Sequence, residues 1–128
     1  MIVADTHAWI WWTTTSSRLS VPARHALDQA TEIGVCAISV WEVAMLVRHR
    51  RLELDRPVLT WIRQALATPR VTLLELTPER AVAAATSDDL PHGDPADRMI
   101  VATAIALRAP IATKDREMRR CRAVRTVW

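Results

Sequence analysis

The sequence lacks the features that define membrane-spanning and secreted proteins. No apolar run approaches the roughly 20 residues that a helix needs to cross a bilayer, and the first residues lack the basic segment and apolar core of a signal peptide. Its two cysteines, Cys36 and Cys121, show no CxxC or Cys/His spacing, which argues against a disulfide framework or a zinc site. We therefore expect a cytoplasmic protein whose cysteines are reduced and structural.

Repeats, low-complexity tracts and linkers are also absent, so the 128 residues suit one domain, 1–128, with one sizeable core. Half of the residues are hydrophobic, which is too many for intrinsic disorder. Lysine is nearly missing, because sixteen of the seventeen basic residues are arginine. Many arginines gather at 48–51 and 116–125, a pattern that suits a polyanionic partner and, equally, a solvated basic surface.

Strand and helix patterns alternate along the chain. Apolar runs of strand length occur at 1–4, 33–38, 71–76 and 109–113, with a further edge strand at 123–127. Helical patterns fill the intervals, at 6–12, 20–31, 39–48, 58–67, 77–87 and 95–108. Such alternation predicts an α/β fold around a central, mostly parallel sheet of four or five strands.

Acidic residues lie where this fold brings strand ends together. Asp5 ends the first strand and Asp115 follows the fourth. Glu42 and Asp97 are predicted in the first turns of helices, and these helices are expected to begin at the same edge of the sheet. The carboxyl ends of parallel strands share one edge of the sheet, which is where such proteins bind ligands. We therefore expect these four acids, from distant segments, to converge.

Each acid also has a purely structural interpretation. Ser39 and Glu42 have the spacing of a capping box. Asp94 and Asp97 resemble one, and the two acids at strand ends could cap helices or end turns. Taken singly, capping is the better interpretation for Glu42 and Asp94. Asp97 is harder to explain in this way, because its helical face continues into apolar residues.

Taken together, the acids favour a metal site. Carboxylates that share one crevice repel each other, which raises their pKa values or destabilises the fold unless cations bind between them. An all-oxygen cluster without thiols suits Mg²⁺ or Mn²⁺ rather than Zn²⁺. A metal pair about 4 Å apart would hold the attacking and leaving oxygens of a phosphodiester.

Blocks of the sequence resemble those of PIN-domain ribonucleases, and specifically the VapC toxins of bacterial toxin–antitoxin pairs. In the family's order, these blocks are Val3–His7, Ser39–Glu42, Asp94–Ile100 and Thr113–Asp115. The resemblance implies a single PIN domain with a three-layer α/β/α fold and Mg²⁺-dependent or Mn²⁺-dependent endoribonuclease activity. It also implies an RNA substrate, a cognate VapB-like antitoxin that occupies the active site, and a homodimer or a higher toxin–antitoxin assembly.

The same resemblance assigns roles to individual residues. The positions that match the family's acidic quartet and its supporting residues are Asp5, Glu42, Asp97 and Asp115, with Asp94 and Thr113. Asp5 and Asp97 are then the expected principal metal ligands, while Glu42 and Asp115 complete or orient the site. Hydrolysis by in-line attack of water would leave a 5′-phosphate and a 3′-hydroxyl.

Other functions remain open at this point. A haloacid-dehalogenase-like phosphatase would carry a second aspartate at the position of His7, which argues against that class. A PIN-domain RNA-processing nuclease outside a toxin system, and a PIN-like module that binds RNA or protein without cutting, are the remaining alternatives.

Several large side chains near these blocks have more than one possible role. Packing in the core or at a subunit interface is the preferred interpretation for five tryptophans: Trp9, Trp11, Trp12, Trp41 and Trp61. Stacking on bases is an alternative for the first three of them. Arg98 is expected to pair with an acid rather than to reach RNA phosphate.

Overall fold

Five strands and seven helices make up the fold, which a computed structural model describes from Met1 to Trp128. The strands are β1 (Ile2–Ala4), β2 (Ile33–Cys36), β3 (Val71–Leu74), β4 (Ile111–Ala112) and β5 (Thr126–Val127). The helices are α1 (Thr6–Thr13), α2 (Val21–Gln29), α3 (Ala37–Arg48), α4 (Val58–Leu66), α5 (Pro78–Thr86), α6 (Pro95–Ala106) and α7 (Arg116–Arg120).

The strands form one sheet in the order β3-β2-β1-β4-β5, and every neighbouring pair is parallel. β1 lies at the centre, where Val3 is in register with Gly34 on one side and with Ile111 on the other. The predicted sheet of four or five mostly parallel strands is confirmed. All carboxyl ends of the strands therefore point to the same edge.

Alternate residues of the central strands point to opposite faces of the sheet and pack in two separate cores. Ile2 and Ala4 pack with residues of α1, α2 and α4 on one face of the sheet. Val3 and Ile111 pack with residues of α5, α6 and α7 on the other face. Both faces of the sheet are thus covered by helices, as expected for an all-parallel sheet, and the α/β/α arrangement is confirmed.

Gly34 lies in β2 at a point where an added Cβ atom would clash with a neighbouring side chain. A Cβ atom built there would stand 2.5 Å from Leu74 Cδ1 and 3.1 Å from Leu74 Cγ. Leu74 is buried in the core, so it has little room to move. We expect Gly34→Ala to lower the free energy of unfolding by about 1–3 kcal/mol, measured by urea denaturation. The cost should shrink in a Leu74→Val background, and equal costs in both backgrounds would contradict this explanation.

Two predicted boundaries are wrong in a way that affects the site. The strand predicted at 33–38 ends at Cys36, and α3 begins directly at Ala37 with no side-chain cap. Ser39 is therefore inside the helix, and Glu42 lies in its second turn rather than its first. The capping-box interpretation of this pair fails because the Ser39 hydroxyl is buried and hydrogen-bonded to Thr6.

The remaining differences are smaller. Helix α7 was not predicted, because its short polar sequence has no apolar period, and it depends on a cap from Asp115. The other predicted strands are shorter in the structure: 71–76 ends at Leu74, 109–113 is reduced to Ile111–Ala112, and 123–127 to Thr126–Val127.

Neither cysteine forms a disulfide. Cys36 is buried at the end of β2, and burial raises the pKa of its thiol to about 11, so it is an inert core residue at neutral pH. None of the seven helices has the length and apolar character required to span a membrane.

Candidate active site

A cleft of about 440 Å³ lies at the carboxyl edge of the sheet and has no hydrophobic side chain in its lining. Its walls are formed by Asp5, Thr6, His7, Glu42, Asp94, Asp97, Lys114, Asp115 and Arg116. All the acids predicted for the site line this cleft, and Thr113 is buried beside them at the end of β4. The predicted convergence of distant segments is therefore what the fold produces.

Asp5 forms the floor of the cleft and is only 5% exposed. It is the N-cap of α1, where Oδ1 accepts a hydrogen bond of 2.7 Å from the backbone N–H of Ala8. Burial raises the pKa of Asp5, although the hydrogen bonds from Ala8 and from the Thr113 hydroxyl act in the opposite direction. Capping and membership of the site are thus two properties of the same side chain.

Asp115 and Thr113 are joined by the turn that follows β4. The backbone N–H of Asp115 donates to Thr113 Oγ1 at 3.0 Å. Asp115 is the N-cap of α7, because its Oδ1 accepts a 2.8 Å hydrogen bond from the N–H of Met118. Thr113 therefore links Asp5 and Asp115, since its hydroxyl donates to one and accepts from the backbone of the other.

Asp94 is confirmed as the N-cap of α6. Its Oδ1 accepts a hydrogen bond of 2.7 Å from the N–H of Ala96, and Pro95 occupies the first helical position. The carboxylate is exposed at the rim of the cleft, within electrostatic range of its neighbours. It therefore adds negative charge to the site while it stabilises the helix.

Asp97 lies in the first turn of α6, among the other acids of the cleft. Its pKa is raised to about 7, first by burial and then by the charges of Asp94, Asp115, Glu42 and Asp5. No hydrogen bond offsets these effects. A carboxylate that is held among like charges without a donor is poised to accept a cation.

Glu42 reaches the cleft from the second turn of α3 and is held there by Thr6. The Thr6 hydroxyl donates a hydrogen bond to Glu42 Oε2, and its oxygen lies 2.9 Å from Ser39 Oγ. Burial, followed by the charges of Asp94 and Asp5, raises the pKa of Glu42, and the bond from Thr6 opposes that rise. Sequence reasoning missed this role for Thr6, although its position directly after Asp5 was an available signal.

Two cations at the rim of the cleft were also missed. The Lys114 ammonium lies 4.8 Å from the ring centroid of Trp11, a cation–π contact. Neither Lys114 nor Arg116 belongs to the protein's two ion pairs, Arg56–Asp55 and Arg120–Glu117. The available signal was composition, since Lys114 is the chain's single lysine.

Arg98 plays a different role from the one predicted. Its guanidinium donates to three backbone carbonyls, those of Ala84 at 2.7 Å, Ser87 at 2.7 Å and Pro91 at 2.8 Å. These carbonyls belong to the end of α5 and the loop before α6. The expected pairing with an acid is therefore wrong, and Arg98 instead fixes the loop that leads to Asp94.

The tryptophans divide into core residues and one surface residue. Trp9, Trp11 and Trp61 are buried, and Trp12 is half-buried, which agrees with the packing interpretation. Trp41 is 57% exposed beside the cleft, so a core role for it is wrong.

The donors of the cleft fit a hard divalent cation by their chemistry. They are carboxylate oxygens without thiolates, and Asp5, Glu42 and Asp97, whose pKa values are raised first by burial, belong to no ion pair. No group of three potential donors is close enough to form a ready-made metal site. The fit therefore rests on donor type and charge.

Comparison with known proteins agrees with this arrangement. Residues 2–124 match the PIN domain family. The chain is 40% identical over 129 aligned residues to Ribonuclease VapC22 of Mycobacterium tuberculosis (strain ATCC 25618 / H37Rv). The alignment covers 99% of this chain and 98% of that protein.

Solved structures share the fold at low sequence identity. VapBC2 from Rickettsia felis, bound to a DNA fragment from their promoter, matches with a TM-score of 0.67 and 14% identity over 98% of this chain and 97% of that chain. A toxin–antitoxin complex from Klebsiella pneumoniae matches with a TM-score of 0.70 and 17% identity, over 97% of this chain and 95% of that chain. The fold, the match over nearly the whole length and the acidic cleft lead to one conclusion: the chain belongs to the PIN-domain family.

Proposed function

We propose that this protein is a metal-dependent endoribonuclease and the toxin of a VapBC-type toxin–antitoxin pair. The observation that carries the proposal is the cleft, where acids from four separate segments meet and where the pKa values of Asp5, Glu42 and Asp97 are raised. Uncompensated carboxylates of this kind are what a hydrolase needs to bind hard cations beside a phosphodiester.

The comparisons support the substrate and the partner. A relative that is 40% identical over the whole chain is a ribonuclease of the VapC type. Proteins of the same fold occur in toxin–antitoxin complexes. We therefore propose RNA as the substrate, the cytoplasm as the place of action, a VapB-like antitoxin as the partner, and a homodimer or a higher toxin–antitoxin assembly as the working state.

The proposed cofactor is Mg²⁺ or Mn²⁺. Asp5 and Asp97 would be its principal ligands, and Glu42 and Asp115 would complete or orient the site. A divalent ion bound there supplies Lewis acidity toward the phosphodiester oxygens. Asp94 adds charge at the rim.

The chain's own residues then position the ligands and the substrate. Thr6 fixes the carboxylate of Glu42, and Thr113 ties Asp5 to the turn before Asp115. Lys114 and Arg116 offer positive charge at the rim of a negative cleft, where the phosphates that flank the cleaved bond would lie. The cation–π contact with Trp11 keeps Lys114 at that rim.

Metal removal tests the catalytic part of the proposal. Purified protein freed of its antitoxin should cut total RNA into discrete fragments with Mg²⁺ or Mn²⁺, and EDTA should stop cleavage. Excess Mn²⁺ should restore the same fragments. Cleavage that continues unchanged in EDTA would instead indicate a metal-independent contaminant or mechanism.

The toxin assignment has its own test. The product of an adjacent small gene, coexpressed with this chain, should copurify with it, suppress RNA cleavage and relieve growth arrest. A nuclease that is harmless when expressed alone would point to an RNA-processing role instead.

A further inference from the structure

Trp41 is a large aromatic side chain on the surface of the protein next to the cleft. It directly precedes Glu42 on α3 and is 57% exposed, whereas every other tryptophan is buried or half-buried. Nothing in the fold requires an indole at this position, since its neighbour Val43 supplies the buried contact of the helix.

An apolar pocket of about 370 Å³ lies on one side of Trp41. Its walls include Ile38 from the same helix and Pro95 and Met99 from α6. Asp94 lines both this pocket and the acidic cleft, so the two spaces adjoin each other. A planar group in this pocket would therefore be adjacent to whatever occupies the cleft.

Trp41 also lines a second, smaller pocket of about 130 Å³. His7 and Glu42 line both this pocket and the cleft. His49 and Arg51 also line it, and neither belongs to an ion pair in the structure. This pocket thus combines the apolar side chains of Met45 and Leu46 with hydrogen-bond donors and the positive charge of Arg51.

We propose that Trp41 and the pocket of Ile38, Pro95 and Met99 form a base-binding subsite for single-stranded RNA. This proposal rests on the proposed nuclease function. A base next to the cleaved phosphate stacks on the indole, and Arg51 with His49 contacts a neighbouring phosphate. Stacking on aromatic side chains beside a charged track is how proteins hold single strands. The indole and the apolar pocket suit a base, and Arg51 suits a phosphate, so these surfaces match the base and the backbone of one strand.

The subsite can be tested by binding alone. Fluorescein-labelled oligo(A), oligo(U) and oligo(C) RNA are titrated with protein in EDTA, and affinity is read from anisotropy. Trp41→Ala should weaken binding of at least one of them by roughly 5- to 100-fold, and Trp41→Phe should stay within about threefold of the wild type, because a ring that can stack remains. Leu59→Ala, at a 55% exposed position on α4, is the matched control and should not change affinity.

A cycle of protein and RNA variants locates the contact. Oligonucleotides with one abasic nucleotide are tested at each position against the wild type and Trp41→Ala. At one position, loss of the base should weaken binding to the wild type but have little effect on binding to Trp41→Ala, which already lacks the stacking partner. Equal losses in both proteins at every position, or unchanged affinity of Trp41→Ala, would overturn the subsite.

Occupation of this face by protein would also overturn it. Iodide should quench Trp41 fluorescence in the free protein, and RNA should protect it. If iodide cannot reach Trp41 without RNA, and Trp41→Ala changes the mass measured by light scattering, the face is an interface between copies. If RNA cleavage does not depend on Trp41, the subsite is rejected and the nuclease function is retained. If RNA binding depends on Trp41 but no metal supports cleavage, the nuclease function is rejected and the subsite is retained.

Discussion

Asp97→Asn should lose RNA cleavage and, without metal at neutral pH, should unfold at a higher temperature than the wild type. Both effects arise from the same carboxylate. Asparagine keeps the size of the side chain but removes the charge that would bind a cation, a loss of several kcal/mol that corresponds to a rate decrease of at least about 100-fold. It also removes a charge that the folded protein tolerates poorly.

The direction of the stability effect follows from the pKa. An unfolded aspartate titrates near pH 3.9, whereas the pKa of Asp97 in the fold is raised to about 7. Between these values the folded protein keeps a proton that the unfolded chain has lost, so the free energy of unfolding falls as the pH rises. Allowing for partial exposure, we expect Asp97→Asn to be more stable by about 1–3 kcal/mol at pH above about 7.

Melting curves recorded across a pH series in EDTA measure this effect. The advantage of Asp97→Asn should shrink as the pH falls and disappear below about pH 3, where the wild-type carboxyl is protonated in both states. Asp88→Asn, an exposed position on the loop after α5, is the matched control and should change neither cleavage nor stability. A variant that still cleaves RNA would remove Asp97 from the site, and one that is destabilised at every pH would give it a structural role.

Arg98→Met should destabilise the protein by about 3–5 kcal/mol. The guanidinium satisfies three carbonyls, of Ala84, Ser87 and Pro91, that no other side chain reaches. Charged hydrogen bonds contribute about 1.5–3 kcal/mol each, and carbonyls left without a donor add their own cost. Lysine cannot replace the planar fork, so Arg98→Lys should recover only a minor part of the loss.

Urea denaturation of Arg98→Met and Arg80→Met provides the comparison. Arg80 donates to a single carbonyl, that of Glu75 at 2.7 Å, so its replacement should cost about 1 kcal/mol. Similar losses at the two positions would mean that the three bonds of Arg98 do not act together. Because that loop leads to Asp94 and Asp97, Arg98→Met should also reduce cleavage even under conditions where the protein remains folded.

The parts of the site that follow from chain topology were predictable. Asp5 comes directly after β1 and Asp115 comes three residues after the end of β4, and parallel strands place such residues at one edge of the sheet. Asp94 and Asp97 were predictable for a local reason, since the Asp-Pro pair marks the start of a helix. The sequence therefore indicated which acids meet.

The parts that depend on contacts between distant residues were not predictable. Glu42 was placed one turn too early, because Ser39 has the right spacing for a cap and only the fold shows that its hydroxyl meets Thr6 instead. Arg98 binds carbonyls, which leave no mark on the sequence pattern. Trp41 is exposed because α3 turns that face toward the cleft, and an exposed tryptophan looks the same as a buried one in a sequence.

The central position of β1 has a consequence for the synthesis of the protein. β1 precedes the other strands of the sheet and is paired on both sides, and one of its neighbours, β4, is translated only when the ribosome reaches Ile111. Until then Asp5 has no partner strand on that side, and Asp115 has not been made. A nascent chain, or a fragment that ends before this point, therefore lacks the assembled cleft.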